Sequence, residues 1–473
     1  MVKKNLALTT LSALALSACA AGPDIVVPSL PPAATGPYLS AEAQAVSPTP
    51  LPTEWWRLYN DPVLDGLVED TLRANTDIRQ AVARIARARA GLRGARADRL
   101  PQTDIGGGAN YARLPESSVP AGARREDWAF DVGVEIGYEV DFFGRVSGGI
   151  EAARLDLAAT TADADAIRVI AVADTTRAYA DAASAAARLQ VARDIVALLD
   201  RSLALTRKRH DAGMENGLAV ARIETLREQR ASQIPAIEAE RRAALFALAT
   251  LTGKAPAELP SVAGERSVAL EISVPLPVGE GRDLLARRPD VQAAEQRLAA
   301  NTARIGVATA DLYPRITFGG SLGASGPNIG DLFDGGALRF LLGSLINWAF
   351  PNQEPARARI AAAEGATQES LAAFDNTVLR ALQDTETALT YYARALDRRR
   401  ALQAAKAAAS RAAAITRARQ REGIVNSLEL LDSERTLAEA RAELADQDGE
   451  ISRRQIDLFR VLGGGWDRQG SSL

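Results

Sequence analysis

DRLPQTDIGG, residues 98–107, and DLYPRITFGG, residues 311–320, are one junction written twice. Asp98 corresponds to Asp311, Pro101 to Pro314 and Gly106–Gly107 to Gly319–Gly320, each pair 213 residues apart. Each decamer reads as the end of a helix, a proline that cannot continue it, and the start of a strand. The duplication spreads outward from there. RANTDIRQAVAR (73–84) aligns with ARRPDVQAAEQR (286–297) at the same offset. Further on the offset falls to 210: AGMENGLAVARIE (212–224) aligns with EGIVNSLELLDSE (422–434), and LATLTG (248–253) with LFRVLG (458–463). The loss of three residues is expected in the loop between the strands of the second copy.

Both copies follow one order. A helix of about 22 residues (77–99, 290–312), rich in Ala, Arg and Leu, runs into the proline. Two stretches of strand character follow: QTDIGGGANYAR and WAFDVGVEIGYEVDFF in the first copy, RITFGGSLGAS and ALRFLLGSLINWAF in the second. Turn residues separate them, with partial alternation along each. After Gly144 and Pro355 a very long helix begins. Residues 145–209 alone would reach roughly 100 Å at ~1.5 Å per residue. Leu189, Ala192, Val196, Leu199 and Leu203 step by threes and fours, a seam for another helix. Gly213 or Gly423 breaks the run and a second helix returns, with Leu430, Leu437, Leu444, Ile451 and Leu458 at heptad spacing.

The 473 residues exceed one ordinary core. A net charge of −3 gives no global basic signature for nucleic acid. One His (His210) and one Cys (Cys19) leave no His/Cys metal site and no Cys–His or Ser–His–Asp nucleophile unless His210 serves, and RKRHDAG places it at a polar helix end. No acid pair sits beside a motif, so no enzyme is expected. The N-terminus has Lys3 and Lys4, then a mostly apolar stretch from Asn5 to Ala18, too short to span a bilayer as a helix. It reads as a signal peptide over 1–18. Leu16-Ser17-Ala18-Cys19 resembles the bacterial lipobox, which implies lipid on Cys19, and Ala20 behind it implies the outer membrane. The Pro-rich residues after Cys19 read as an extended tether over 19–62.

Two strands cannot stand alone, and four leave open edges that aggregate or pair. A long helix hairpin has the same problem. Closure by oligomerisation solves both, and strands of this length at a tilt fit a bilayer. The expected organisation is therefore a tether, a first repeat over 63–253, a linker over 254–281, a second repeat over 282–463 and a tail over 464–473. The loops 114–126 and 326–337 are expected outside the cell.

Taken together, the lipobox, WWRLYNDPVLDGLV (55–68), EVDFFGRVSGGIEAAR (139–154), LLARRPDVQAAEQRL (284–298), DLYPRITFGG and EGIVNSLELLDSER (422–435) resemble the TolC-like outer-membrane factors of tripartite efflux systems, in the OprM/NodT-like lipoprotein branch. The resemblance covers nearly the whole mature chain. It implies an α+β membrane protein: a homotrimer with a 12-strand β-barrel, four strands per chain, continued by a long α-helical periplasmic barrel. It implies passive conduction of small molecules handed over by a periplasmic membrane-fusion adaptor and a proton-driven inner-membrane transporter, with no cofactor beyond the covalent lipid. Residues 30–62 and 254–281 would form an equatorial belt. Trp55 and Trp56 would pack there.

The resemblance also assigns residues. Glu429 and Asp432 match the acidic periplasmic gate, with Glu429 where the family more often carries Asp. Asn426 three residues before Glu429 equally fits a capping box, so gate and cap both stand at this stage. The first copy has Ala219 at the Glu429 position. Gly213, Asn216, Leu218, Gly423, Asn426 and Leu428 mark the hairpin tips that would receive the adaptor; the glycines and asparagines also fit plain turn and cap chemistry. The rival reading is a periplasmic coiled-coil scaffold lipoprotein. It accounts for the helices and Cys19 but not for the duplicated strand pairs.

Overall fold

The computed structural model describes residues 35–465 except 43, 116, 118, 121, 123 and 124, together with Pro23. Cys19, the signal segment and Trp466 onward lie outside the described residues. In chain order the longer elements are α1 (Pro62–Ala74), α2 (Thr76–Ala97), α3 (Arg145–Asp211), α4 (Gly217–Ala231), α5 (Ile234–Leu251), α6 (Gly281–Arg287), α7 (Pro289–Ala310), α8 (Glu354–Arg421) and α9 (Ser427–Val461). The strands are β1 (Val46–Ser47), β2 (Gln102–Arg113), β3 (Glu126–Val140), β4 (Leu276–Pro277), β5 (Arg315–Gly326) and β6 (Leu338–Asn347). Among the described residues there are two compact units, one of 84–161 and 293–375, the other of 35–83, 162–292 and 376–465; α2, α3, α7 and α8 contribute to both.

The first unit holds a four-stranded antiparallel sheet in the order β2-β3-β5-β6. Its register places Gly106 opposite Gly133 and Gly133 opposite Gly323, and likewise Gly137 opposite Gly319 and Gly319 opposite Gly343. Strands approach closely along these rows: a Cβ at Gly323 would stand 2.6 Å from the Val132 carbonyl oxygen. The duplicated junction is built as the sequence reads. Proline follows the helix, and the strand starts one residue later at Gln102 and Arg315. Asp311 sits at a helix C-terminus, where a negative charge opposes the dipole. Arg315 at 2.7 Å and Arg359 at 2.5 Å offset it. At the exit from β3, Asp141 accepts from the backbone N–H of Val146 (2.9 Å) and Ser147 (2.7 Å), capping α3.

The offset shift is corrected by the structure. The strand connections differ by one residue, 114–125 against 327–337. The rest of the loss lies in β6, which has 10 residues where β3 has 15, while in the second copy the exit to the long helix is two residues longer and the long helix itself has 68 residues against 67. A second difference lies in the returning helices. That of the first copy is broken at Ser232–Gln233, because Pro235 lacks the N–H that a continuous helix needs and is tolerated only at the first turn of α5. That of the second copy, α9, is continuous over 35 residues.

The second unit contains the main apolar core. Trp55 and Trp56 are both buried, and Trp55 stacks on Phe459 with ring centroids 4.6 Å apart. Leu64, Val68, Val172, Leu248, Leu270 and Leu276 belong to the same cluster. Residues 55–59 form a 3-10 turn, and β1 pairs in parallel with β4, so the stretches before residue 62 and after residue 254 meet. Asp61 caps α1 through the N–H of Val63 (2.9 Å) and accepts from Tyr179 Oη (2.9 Å) and Arg266 (2.8 Å). The seam Leu189, Ala192, Val196, Leu199, Leu203 is buried, as is the heptad series from Leu430 to Leu458.

Candidate functional site: hairpin tips and strand face

The two hairpin tips are built alike. Gly213 (φ +75°) and Gly423 (φ +73°) take the left-handed conformation that a Cβ disfavours. The chain then closes through Met214 N–H to the Arg209 carbonyl (2.8 Å) and Ile424 N–H to the Arg419 carbonyl (2.9 Å). Asn216 Oδ1 accepts from Ala219 N–H (3.0 Å), and Asn426 Oδ1 from Leu428 and Glu429 N–H (3.0 Å each). Both asparagines are therefore N-caps, and Asn426 delivers Glu429 into the first turn of α9, where an acid favours the dipole.

Leu218 and Leu428, more than half exposed, come together on one groove of about 400 Å³ between α4 and α9, lined also by Ala221, Thr225, Leu431 and Asp432. Glu429 is exposed one turn before Asp432 and is not among the lining residues. Asp432, 70% exposed, lies 3.3 Å from Arg435. The tips are tied by Arg209, which donates to the Gln420 carbonyl (3.2 Å), and by Arg230 with Glu439 (3.0 Å). His210 is a half-exposed side chain 3.5 Å from Asp211.

The duplicated Glu224 and Glu434 have different surroundings. Glu434 is 1% exposed and receives both nitrogens of Arg417, at 2.5 and 2.8 Å. That hydrogen-bonded carboxylate raises the Arg417 pKa further above its usual value. Glu224 meets Arg207 at 3.2 Å in the open, both side chains half exposed.

Strand β3 carries a two-faced pattern that the motifs do not mark. Along β3, Trp128, Phe130, Val132, Val134, Ile136, Tyr138 and Val140 share one face, with Glu126 at its outer end; Asp127, Asp131, Glu135 and Glu139 share the other. The signal was strict period-two alternation in WAFDVGVEIGYEV. Register extends the polar face to Asp104, directly opposite Glu135, and to Ser321 and Ser325 on β5. A Cβ at Gly108 would lie 2.8 Å from Asp131 Oδ1, so the glycine leaves room for that carboxylate. Glu139 is held by Arg145 at 2.7 and 2.6 Å. Among the described residues no group of three or more His, Cys, Asp or Glu could hold a metal ion, and no helix is long and apolar enough to cross a membrane. An apolar face opposite a polar one is the pattern of strands that meet lipid on one side and a lumen on the other.

Comparison with known proteins agrees with this arrangement. The family described as outer membrane efflux protein matches residues 67–254 and 281–464, the two repeats in turn. Outer membrane protein OprJ of Pseudomonas aeruginosa is 32% identical over 98% of this chain and 96% of its own length. The cation efflux system protein CusC of Escherichia coli O157:H7 is 28% identical over 96% of this chain and 98% of its own. Among solved structures, the outer-membrane channel OprN superposes with a TM-score of 0.89 at 32% identity, covering 94% of this chain and 99% of its own. The chain belongs to the outer membrane efflux protein family, whose members are passive channels of the outer membrane reaching into the periplasm and not enzymes.

Proposed function

We propose that three copies close their sheets into one 12-strand barrel through the outer membrane, continue it as a helical tube in the periplasm, and conduct small toxic compounds passively outward. The observation that supports this reading best is the sheet itself. β2 and β6 each pair on one side only, and β3 offers lipid an apolar face from Trp128 to Val140. A four-stranded sheet with free edges needs partners, and a closed barrel is the form a bilayer admits. The carboxylates of Asp104, Asp131 and Glu135 then line the lumen. Partners in this reading are a periplasmic adaptor, seated on the groove of Leu218 and Leu428 between the tips marked by Gly213, Asn216, Gly423 and Asn426, and a proton-driven inner-membrane transporter.

Glu429 and Asp432 form the acidic mouth of the tube in this account, two carboxylates per copy around the axis. Two charges about 4 Å apart interact by roughly 4 kcal/mol at an effective dielectric of 20, enough to favour cations in the mouth. Planar-bilayer recording of Glu429→Gln with Asp432→Asn is expected to show reduced cation selectivity and altered conductance. Wild-type behaviour would mean that these acids only decorate the helix end. Asn426 supplies the cap by itself, so the double variant keeps its fold.

Lipid on Cys19 is the second anchor. Metabolic labelling with a fatty-acid analogue is expected to mark the wild type and not Cys19→Ala, with trimers surviving in the variant because the barrel also anchors it. Equal label in both would remove the lipid from the account.

A further inference from the structure

One join in the chain is made inside it and must be made again between copies. Inside the chain β3 pairs with β5, and below them α3 lies against α7. There Arg304 of α7 donates to Asp156 of α3, and a Cβ at Gly148 would come within 3.1 Å of Val307. By the repeat, β6 stands for β3 and β2 for β5, and these are the two free edges of the sheet. The helices that meet at the outer join are therefore α8 of one copy and α2 of the next.

Their charges are complementary. α2 carries Arg79, Arg84, Arg87, Arg89, Arg93 and Arg96 and, after Asp77, no acid. The matching stretch of α8 carries Glu354, Glu364, Glu369 and Asp375; its two arginines, Arg357 and Arg359, are engaged by Glu354 and Asp311. The repeat also sets the register. Arg304 maps onto Gly91 at the offset of 213, and Asp156 onto Ala366 at the offset of 210. The ion pair of the inner join thus falls on two uncharged residues in the outer one. Charges stand one turn away from them on the same helix faces. Arg87 lies four residues before Gly91 and Glu369 three after Ala366, both displaced away from the strands. Positions four and three residues away share a helix face with Gly91 and Ala366, whereas Arg93 and Glu364, each two residues away, lie on the far faces of their helices. Arg87 and Glu369 are both exposed residues.

We propose that α2 of one copy docks on α8 of the next through an ion pair of Arg87 with the neighbour's Glu369, and that this pairing fixes the register in which copies join. The occupant of this surface is a second copy of the chain, because the join continues the free sheet edges and the charges match in sign and depth. The inference rests on the trimer reading above. An ion pair at a seam contributes more to register than to affinity, since like charges across it are penalised.

The test is a charge swap in the full-length protein, read as the temperature at which the trimer dissociates on a gel of outer-membrane extract and as mass by light scattering. Arg87→Glu is expected to lower that temperature, and Glu369→Arg to do the same. The two together are expected to recover most of the loss. Unchanged dissociation in both reversals overturns the proposal, and so does a swap no better than either reversal, which would mean that the reversals act through folding. A wild type that is no trimer removes the trimer reading together with this inference, whereas a trimer indifferent to the reversals removes only the inference.

Discussion

Trp55→Ala is expected to destabilise the second unit by about 4 kcal/mol. Trp55 has no exposed surface, stacks on Phe459 and meets Trp56 edge-on with centroids 6.3 Å apart. Gly464 lies so close that a Cβ there would come within 2.6 Å of the indole. Tyr179, Leu64 and Phe459, from α3, α1 and α9, are buried in the same cluster, so partial relaxation is expected to leave a cavity. The cavity term therefore adds to the lost transfer energy. The measurement is thermal unfolding of the detergent-solubilised protein followed by helical circular dichroism. A melting temperature equal to wild type would show that the Trp55–Phe459 stack is not central to the unit.

Arg417→Ala is expected to cost about 2 kcal/mol at the second hairpin, less than removal of a fully buried partner because the Arg417 side chain is 33% exposed. The change strands the buried Glu434 carboxylate. The repeat supplies its own control: Arg207→Ala at the first hairpin is expected to cost under about 1 kcal/mol, since both partners there are solvated. Hydrogen exchange separates the two, with faster exchange expected around 417–437 in the first variant and little change around 207–227 in the second. Glu434→Gln added to Arg417→Ala is expected to recover much of the protection, because a neutral amide costs less to bury than a lone charge. Equal effects at both hairpins would contradict the assigned burial.

The contrast between Glu224 and Glu434 shows where a sequence stops being informative. The two glutamates occupy matching positions in one repeat, and nothing local separates them; burial is decided by what the neighbouring helices bring. The break at Ser232–Gln233 was signalled by Pro235, but a proline marks a first turn as readily as a stop, and only packing chooses. Long-range pairing was equally hidden: β1 and β4 are two residues each, too short for any periodicity. By contrast the junctions at Pro101 and Pro314, the strands on either side, and the tips at Gly213 and Gly423 rest on local chemistry, and the sequence places them closely. The acidic face of β3 was also legible, since Asp127, Asp131, Glu135 and Glu139 fall at every fourth residue. Attention to motifs rather than to period passed over it. At the tips, capping by Asn426 is a matter of backbone geometry and is now visible, whereas a gate formed by Glu429 and Asp432 needs the other copies around the axis.

The central claim is a conduit whose strands cross the outer membrane while its helix hairpins stay in the periplasm. Epitope tags inserted at Asn328, between β5 and β6, and at Glu422, at the second hairpin tip, test it in one experiment on cells. Antibody applied to intact cells is expected to bind the Asn328 tag and to reach the Glu422 tag only after the outer membrane is permeabilised. An Asn328 tag that also needs permeabilisation would contradict the account and leave a periplasmic helical scaffold in its place.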